Sequence, residues 1–135
     1  MERLQRCNDA ETWLIAQAMG RVAQGERLIH QLNQEMDEVQ ALVSRRQATP
    51  KVLFIYARGQ GAMQVAGRDT AAAAMIALAG GVSAIDAYTG YKPLTAEAVV
   101  TAAPDIIVLP ARGLDSVGGV AGLLTVPGIA LTPAG

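Results

Sequence analysis

The chain is short of the side chains that do most covalent and metal chemistry. It has one cysteine, Cys7, and one histidine, His30. A single thiol cannot close an internal disulfide and has no second thiol for a zinc or redox pair. It is compatible with any compartment. Aromatic residues make up 4% of the sequence, with three tyrosines, one tryptophan and one phenylalanine. Ring stacking and phenolate chemistry therefore rest on very few residues. The net charge of −1 offers a polyanion no electrostatic footing, so no nucleic-acid partner is expected. No apolar run approaches the ~18 residues of a membrane-spanning helix. The opening Met1-Glu-Arg-Leu-Gln-Arg-Cys7 carries charge but lacks the apolar core of a signal peptide.

What is abundant is small and aliphatic. Hydrophobic residues reach 51%, mostly Ala, Val, Leu and Ile, with 14 glycines and 6 prolines. That is a globular composition with many turns rather than a disordered one. At 135 residues the chain is long enough to bury one core.

From about Asp9 to Arg46, apolar residues recur at Ile15, Val22, Ile29, Met36 and Val43, with Ala18, Leu32 and Val39 between them. The period is near 3.5 and predicts one long amphipathic helix with Asp9 as N-cap. Gly20 and Gly25 weaken it by about 1 kcal/mol each relative to alanine. Thr49-Pro50 then breaks the helix, and Lys51 to Ala57 reads as a strand apolar enough to be covered on both faces. A glycine-rich loop follows from Arg58 to Gly67. Asp69 or Thr70 caps a helix to Ala79, and Val82 to Ile85 is a weak second strand. Tyr88 to Pro93 reads as a loop, Thr95 caps a helix to Ala103, and Ile106 to Leu109 is a third strand. Pro110 to Gly119 is another loop, Val120 to Leu124 a helical turn, and Ile129 to Leu131 a final strand. The predicted fold class is α/β: a long N-terminal helix, then a small three-layer lobe with a mostly parallel sheet. The division falls at residues 1–48 and 49–135.

Ligands of such sheets sit beyond the carboxyl ends of the strands. Those ends would deliver Tyr56 to Gly61, the Tyr88 to Lys92 loop, and Pro110 to Leu114. Arg58-Gly-Gln-Gly-Ala-Met-Gln64 follows a strand, as a dinucleotide fingerprint does, but its third glycine would fall at Gln64 and no P-loop lysine follows. Gly59 and Gly61 instead suit a loop that lets backbone approach a ligand, or a plain surface turn. No Gly-x-Ser-x-Gly elbow is present, His30 lies mid-helix, and the carboxylates Asp69, Asp86, Glu97, Asp105 and Asp115 are scattered. Catalysis has little to stand on, and no enzyme is expected. Arg58 and Arg112 follow strands on the ligand side, and their guanidinium forks match carboxylates. Tyr56, Tyr88 and Tyr91 are the aromatics of that edge, and a tyrosine phenolate can ligate ferric haem. Tyr56 reads equally well as a strand residue with its hydroxyl hydrogen-bonded. Met63 reads as packing, or as an axial ligand.

Beyond these single residues, whole segments look familiar. Lys51-Val-Leu-Phe-Ile-Tyr56, Met63-Gln-Val-Ala-Gly-Arg-Asp-Thr70 and Ala77-Leu-Ala-Gly-Gly81 resemble the second lobe of periplasmic haem-binding proteins of ABC importers. Tyr91-Lys-Pro-Leu-Thr-Ala-Glu-Ala98, Ala103-Pro-Asp-Ile-Ile-Val-Leu109 and Pro127-Gly-Ile-Ala-Leu-Thr-Pro-Ala-Gly135 do the same. The similarity runs from about residue 10 to 135. Ala-Pro-Asp-Ile-Ile is shared with siderophore and cobalamin binders, whereas Ala-Gly-x-x-Thr and Leu-Thr-Pro-Ala-Gly are more particular to the haem branch.

The resemblance implies that the N-terminal helix is the rigid connector between two lobes, and that this chain carries it with an incomplete second lobe. The first lobe, which supplies the iron-ligating tyrosine in the family, would precede the chain. Haem would be the transported ligand, the permease of an ABC importer the partner, and the periplasm the location of the full-length protein. Some members carry a histidine near the position of Arg58; here Arg58 would contact a propionate or the first lobe's tyrosine. Tyr91 matches an aromatic at the cleft rim, and Glu97 the carboxylate that docks onto permease arginines. Glu97 also reads simply as a helix N-terminal charge. Tyr56 or Tyr88 is the candidate iron ligand on this chain. One lobe buries one face of a macrocycle, so weak haem binding by this chain alone is expected. Two alternatives remain open: a siderophore or cobalamin binder, and an orphan lobe that oligomerises through the apolar stripe of its helix.

Overall fold

The computed structural model describes residues 2–59 and 61–135, with side chains from residue 8 onward. The chain divides into two compact units, Met1–Arg46 and Gln47–Gly135.

The first unit is helical, but its helix is not continuous. Helix α1 spans Glu2–Ala18 and α2 spans Val22–Val43, where one helix from Asp9 to Arg46 was expected. Asp9 accordingly lies inside α1 rather than at its cap. The cause is Gly20, which takes φ +65°. The Gly20 N–H donates to the Gln17 carbonyl (3.0 Å) and the Arg21 N–H to that of Ala16 (2.8 Å). These are the two hydrogen bonds of a Schellman stop, which needs a left-handed residue just past the helix and favours glycine there. The chain then folds back. Gly25 is buried against Ala16, where a Cβ would meet the Ala16 Cβ. Further along, the Asn33 amide donates to Asp9 Oδ2 at 3.4 Å. The paired positions run in opposite directions, as in an antiparallel helical hairpin.

The second unit is α/β, as expected, and is organised around β1 (Lys51–Ala57). This strand runs parallel to β3 (Val82–Ser83) and to β5 (Ile106–Val108). Its second half pairs antiparallel with β2 (Met63–Ala66), which pairs antiparallel with β4 (Tyr91–Pro93). Two of the four ladders are thus antiparallel and the sheet is mixed, because β2 and β4 lie in segments expected to be loops. Helices α3 (Ala71–Leu78) and α4 (Ala96–Ala102) start at Thr70 and Thr95, whose hydroxyls accept from the Ala73 and Ala98 N–H groups. These are ordinary threonine N-caps. Residues 110–119, expected as loop, contain α5 (Ala111–Ser116), followed by α6 (Gly119–Leu124).

Ile129–Leu131 is a 3₁₀ turn rather than a strand. Gly128 enters it at φ +92°, with Ala96 so close that a Cβ would sit 3.0 Å from its Cα. The Thr132 hydroxyl closes the turn on the Ile129 carbonyl at 2.8 Å. The core is aliphatic: Leu53, Ile55, Val65, Val99, Val117 and Ile129 are each at most 1% exposed. Leu53 and Ile55 lie on one face of β1 by the two-residue alternation of a strand, which hands Tyr56 to the other.

Candidate functional site

The β1–β2 connection positions the site. Arg58 N–H donates to the Ala62 carbonyl (3.0 Å), and Ala62 N–H returns to that of Gly59 (3.2 Å). This is a tight hairpin turn, with Gly59 at φ +89°, which glycine adopts without strain. Antiparallel pairing then aligns Tyr56 with Gln64 and Gln64 with Pro93. Side chains at one register share a face of the sheet, so β1, β2 and β4 each give that row one residue. Around it lies an open concavity of about 330 Å³, lined also by Arg58, Gly61 and Met63.

Within it, Arg58 is folded back onto Tyr56. Its Nη2 and Nε donate to the phenolic oxygen at 2.8 and 3.1 Å. The guanidinium carbon lies 5.2 Å from the ring centroid. A phenolic oxygen that accepts from a cation twice is held in one place. Both residues are exposed, so the pair is presented to whatever occupies the concavity.

The loop is anchored from behind. The Gly59 N–H donates to Ser116 Oγ at 2.9 Å, and that hydroxyl donates to the Gly113 carbonyl at 2.7 Å. Gly113 is buried against Ala57, where a Cβ would sit 3.2 Å from the Ala57 oxygen. Helix α5 is thereby tied to the loop carrying Arg58.

Of the residues expected at the ligand edge, Tyr56, Arg58, Gly61 and Met63 come together in the concavity, and Gly59 lies in its loop. Arg112 is exposed in the first turn of α5, and Tyr91 is exposed on β4; neither lines the concavity. Tyr88 lies elsewhere. It packs against the hydrophobic core, its hydroxyl donates to the Val65 carbonyl at 3.5 Å, and burial raises its pKa above the ordinary 10.0. Glu97 is exposed in the first turn of α4. It borders a different cavity, of about 620 Å³, that Tyr88 and Lys51 also line. Among the described residues no group of three or more His, Cys, Asp or Glu could hold a metal ion. Sequence reasoning missed Gln64, Pro93 and Ser116. The signal for Gln64 was the pair Gly59 and Gly61 followed by alternating Met63-Gln-Val, which reads as a hairpin; no local signal marked Pro93.

The mixed α/β lobe thus presents an arginine-held phenol in an open concavity. Comparison with known proteins places the chain in a family. The chain belongs to the periplasmic binding protein family, whose model matches residues 11–135; the family is one of binding proteins rather than enzymes. Among solved structures, the periplasmic haem-binding protein RhuT from Roseiflexus sp. RS-1, in its apo form, is 44% identical with a TM-score of 0.89. The match covers 93% of this chain and 48% of that one. BhuT, a periplasmic haem-binding protein in complex with two haems, is 36% identical with a TM-score of 0.86, over 93% and 48%. The haem-binding protein HmuT is 31% identical with a TM-score of 0.85, over 93% and 42%. This chain therefore spans less than half the length of these relatives. No curated protein matches it.

Proposed function

We propose that this chain is the connecting helices and second lobe of a substrate-binding protein that captures haem in the periplasm for an ABC importer. The observation that carries the reading is the Tyr56–Arg58 pair, held by two hydrogen bonds at an open concavity. Solved relatives with haem in their names, 44% and 36% identical, support it. HmuT has also been crystallised with a tyrosine, and separately an arginine two positions further on, replaced by alanine. Tyr56 and Arg58 have that spacing.

In this reading the Tyr56 phenolate faces the ferric iron, and Arg58 stabilises its charge or turns to a propionate. Met63 and Gly61 offer apolar contact to the macrocycle, Tyr91 stands at the rim, and Arg112 serves a propionate. Tyr88 takes no part as iron ligand, since its hydroxyl is turned to the Val65 carbonyl. Glu97 docks onto a cationic surface of the permease. One lobe covers one face of the macrocycle, so the isolated chain binds haem weakly.

The test is a ferric haem titration followed at the Soret band, on the chain alone and on the chain joined to the first half of RhuT. Weak, unsaturating binding is expected alone, and saturable binding when joined. Tyr56→Phe or Arg58→Ala should weaken the joined protein by roughly 10-fold or more, the equivalent of one hydrogen bond to a charged group. Tight binding that ignores both substitutions would refute the reading. Leu14, Ile15, Met19 and Leu28 of the first unit are exposed, and such apolar surface seeks cover. The isolated chain should therefore self-associate at micromolar concentration; a monomer in light scattering would contradict this.

A further inference from the structure

We infer that Tyr88 is a positioning residue of the concavity: clamped between Gly67 and Lys92, it fixes the β4 wall against which Tyr56 is set. The inference rests on the reading of that concavity as the ligand-facing site.

The wall in question is Pro93, one of three residues of β4, all exposed. A three-residue outer strand is not self-supporting. Beyond its ladder to β2, it is held by the turn before it. The Arg68 N–H donates to the Tyr88 carbonyl (2.8 Å), the Gly90 N–H to that of Arg68 (2.9 Å) and the Gly67 N–H to that of Gly90 (2.8 Å). The Tyr88 ring lies flush under Gly67, where a Cβ would stand 2.6 Å from Cδ2 and 2.8 Å from Cε2. Only glycine permits that approach.

The other attachment comes from β4 itself. The Lys92 ammonium stands 4.5 Å from the Tyr88 ring centroid, an attraction between a cation and the negative face of the ring. Lys92 pairs with Val65, and its neighbour Pro93 with Gln64. Strand alternation puts Lys92 on the face opposite Pro93. The clamp therefore grips β4 from behind while Pro93 completes the row with Gln64 and Tyr56. Without it, β4 is free to tilt away from β2, and the surroundings of Tyr56 change with no contact to Tyr56 having been removed.

The experiment uses the whole chain without haem, labelled with tyrosine enriched in ¹³C at Cζ. Three tyrosines give three signals, and Tyr56→Phe assigns one. The expected result is that Lys92→Met and Tyr88→Leu shift or broaden the Tyr56 signal, whereas Tyr88→Phe, which keeps the ring under the ammonium, leaves it in place. An unmoved Tyr56 signal in folded Lys92→Met would overturn the inference, as would an equal shift in Tyr88→Phe. If Tyr88→Leu does not fold, Lys92→Met, an exposed substitution, decides the matter alone. Because no haem is present, failure of the haem reading and failure of this one are separate outcomes.

Discussion

Gly20 decides whether the first unit is a hairpin or a rod, and the two states differ by a distance large enough to measure. In the hairpin the side chains of Asp9 and Asn33, 24 residues apart, lie within 3.4 Å. A continuous helix would separate the same residues by about 36 Å at ~1.5 Å per residue. Spin labels at the exposed positions Asn8 and Gln34, with Cys7 replaced by serine, read the difference by electron double resonance. Gly20→Ala acts on both states. It places a side chain at φ +65°, which costs the hairpin about 1–2 kcal/mol, and it favours the rod by about 1 kcal/mol of helix propensity. The combined swing of about 2–3 kcal/mol moves the equilibrium toward the rod by roughly 30- to 150-fold, at about 1.4 kcal/mol per decade. The original chain should show a short distance and Gly20→Ala a growing long one. A long distance in the unsubstituted chain would refute the hairpin, and an unchanged short one in Gly20→Ala would refute the role assigned to the glycine.

Two further outcomes concern the second unit. Leu53→Ala removes a fully buried side chain from the central strand and should cost about 2–5 kcal/mol. It should be read as a lower urea midpoint at unchanged slope, while Val108→Ala, at a position 41% exposed, should cost well under half as much. The second outcome is a pH dependence. Burial raises the Tyr88 hydroxyl above its ordinary 10.0, so near and above that pH the unfolded chain loses the proton while the folded chain keeps it. The folded state then binds more protons, and its stability is full below pH 10 and falls as pH rises toward the folded value. Urea midpoints at about pH 8 and about pH 11 should drop more in the parent chain than in Tyr88→Phe; equal drops would show that Tyr88 contributes nothing.

Much of the second unit was legible because local chemistry and global fold agree there. The apolar run Lys51 to Ala57 is the central strand, although Tyr56 on it is exposed where cover on both faces was expected, and Thr70 and Thr95 are caps because a threonine before an Ala-rich segment has an N–H to accept from. Where the reading failed, the pairing was nonlocal or the decisive residue was a glycine with two roles. Met63–Ala66 and Tyr91–Pro93 are too short to announce themselves, and they become strands because β1 offers β2 an edge, and β2 then offers β4 one. Gly20 carried only a propensity penalty until its φ angle made it a stop signal.

The candidate site divides the same way. Tyr56 and Arg58 were each readable as ligand-edge residues because both sit beside a strand's carboxyl end, but their contact with each other was not. Tyr88 was read with them because it belongs to a neighbouring loop. In the fold that loop closes under Gly67, away from the concavity, while Gln64 and Pro93 take its place beside Tyr56.

By itself the sequence determined the composition of the core, the threonine caps of α3 and α4, the central strand and the family resemblance, all properties of residues close together along the chain. Only the tertiary structure decided where the helix turns back, which face each short strand shows, and which aromatic reaches the concavity. Those outcomes depend on register and on close backbone approach between distant segments, where a shift of one residue exchanges the buried face for the exposed one.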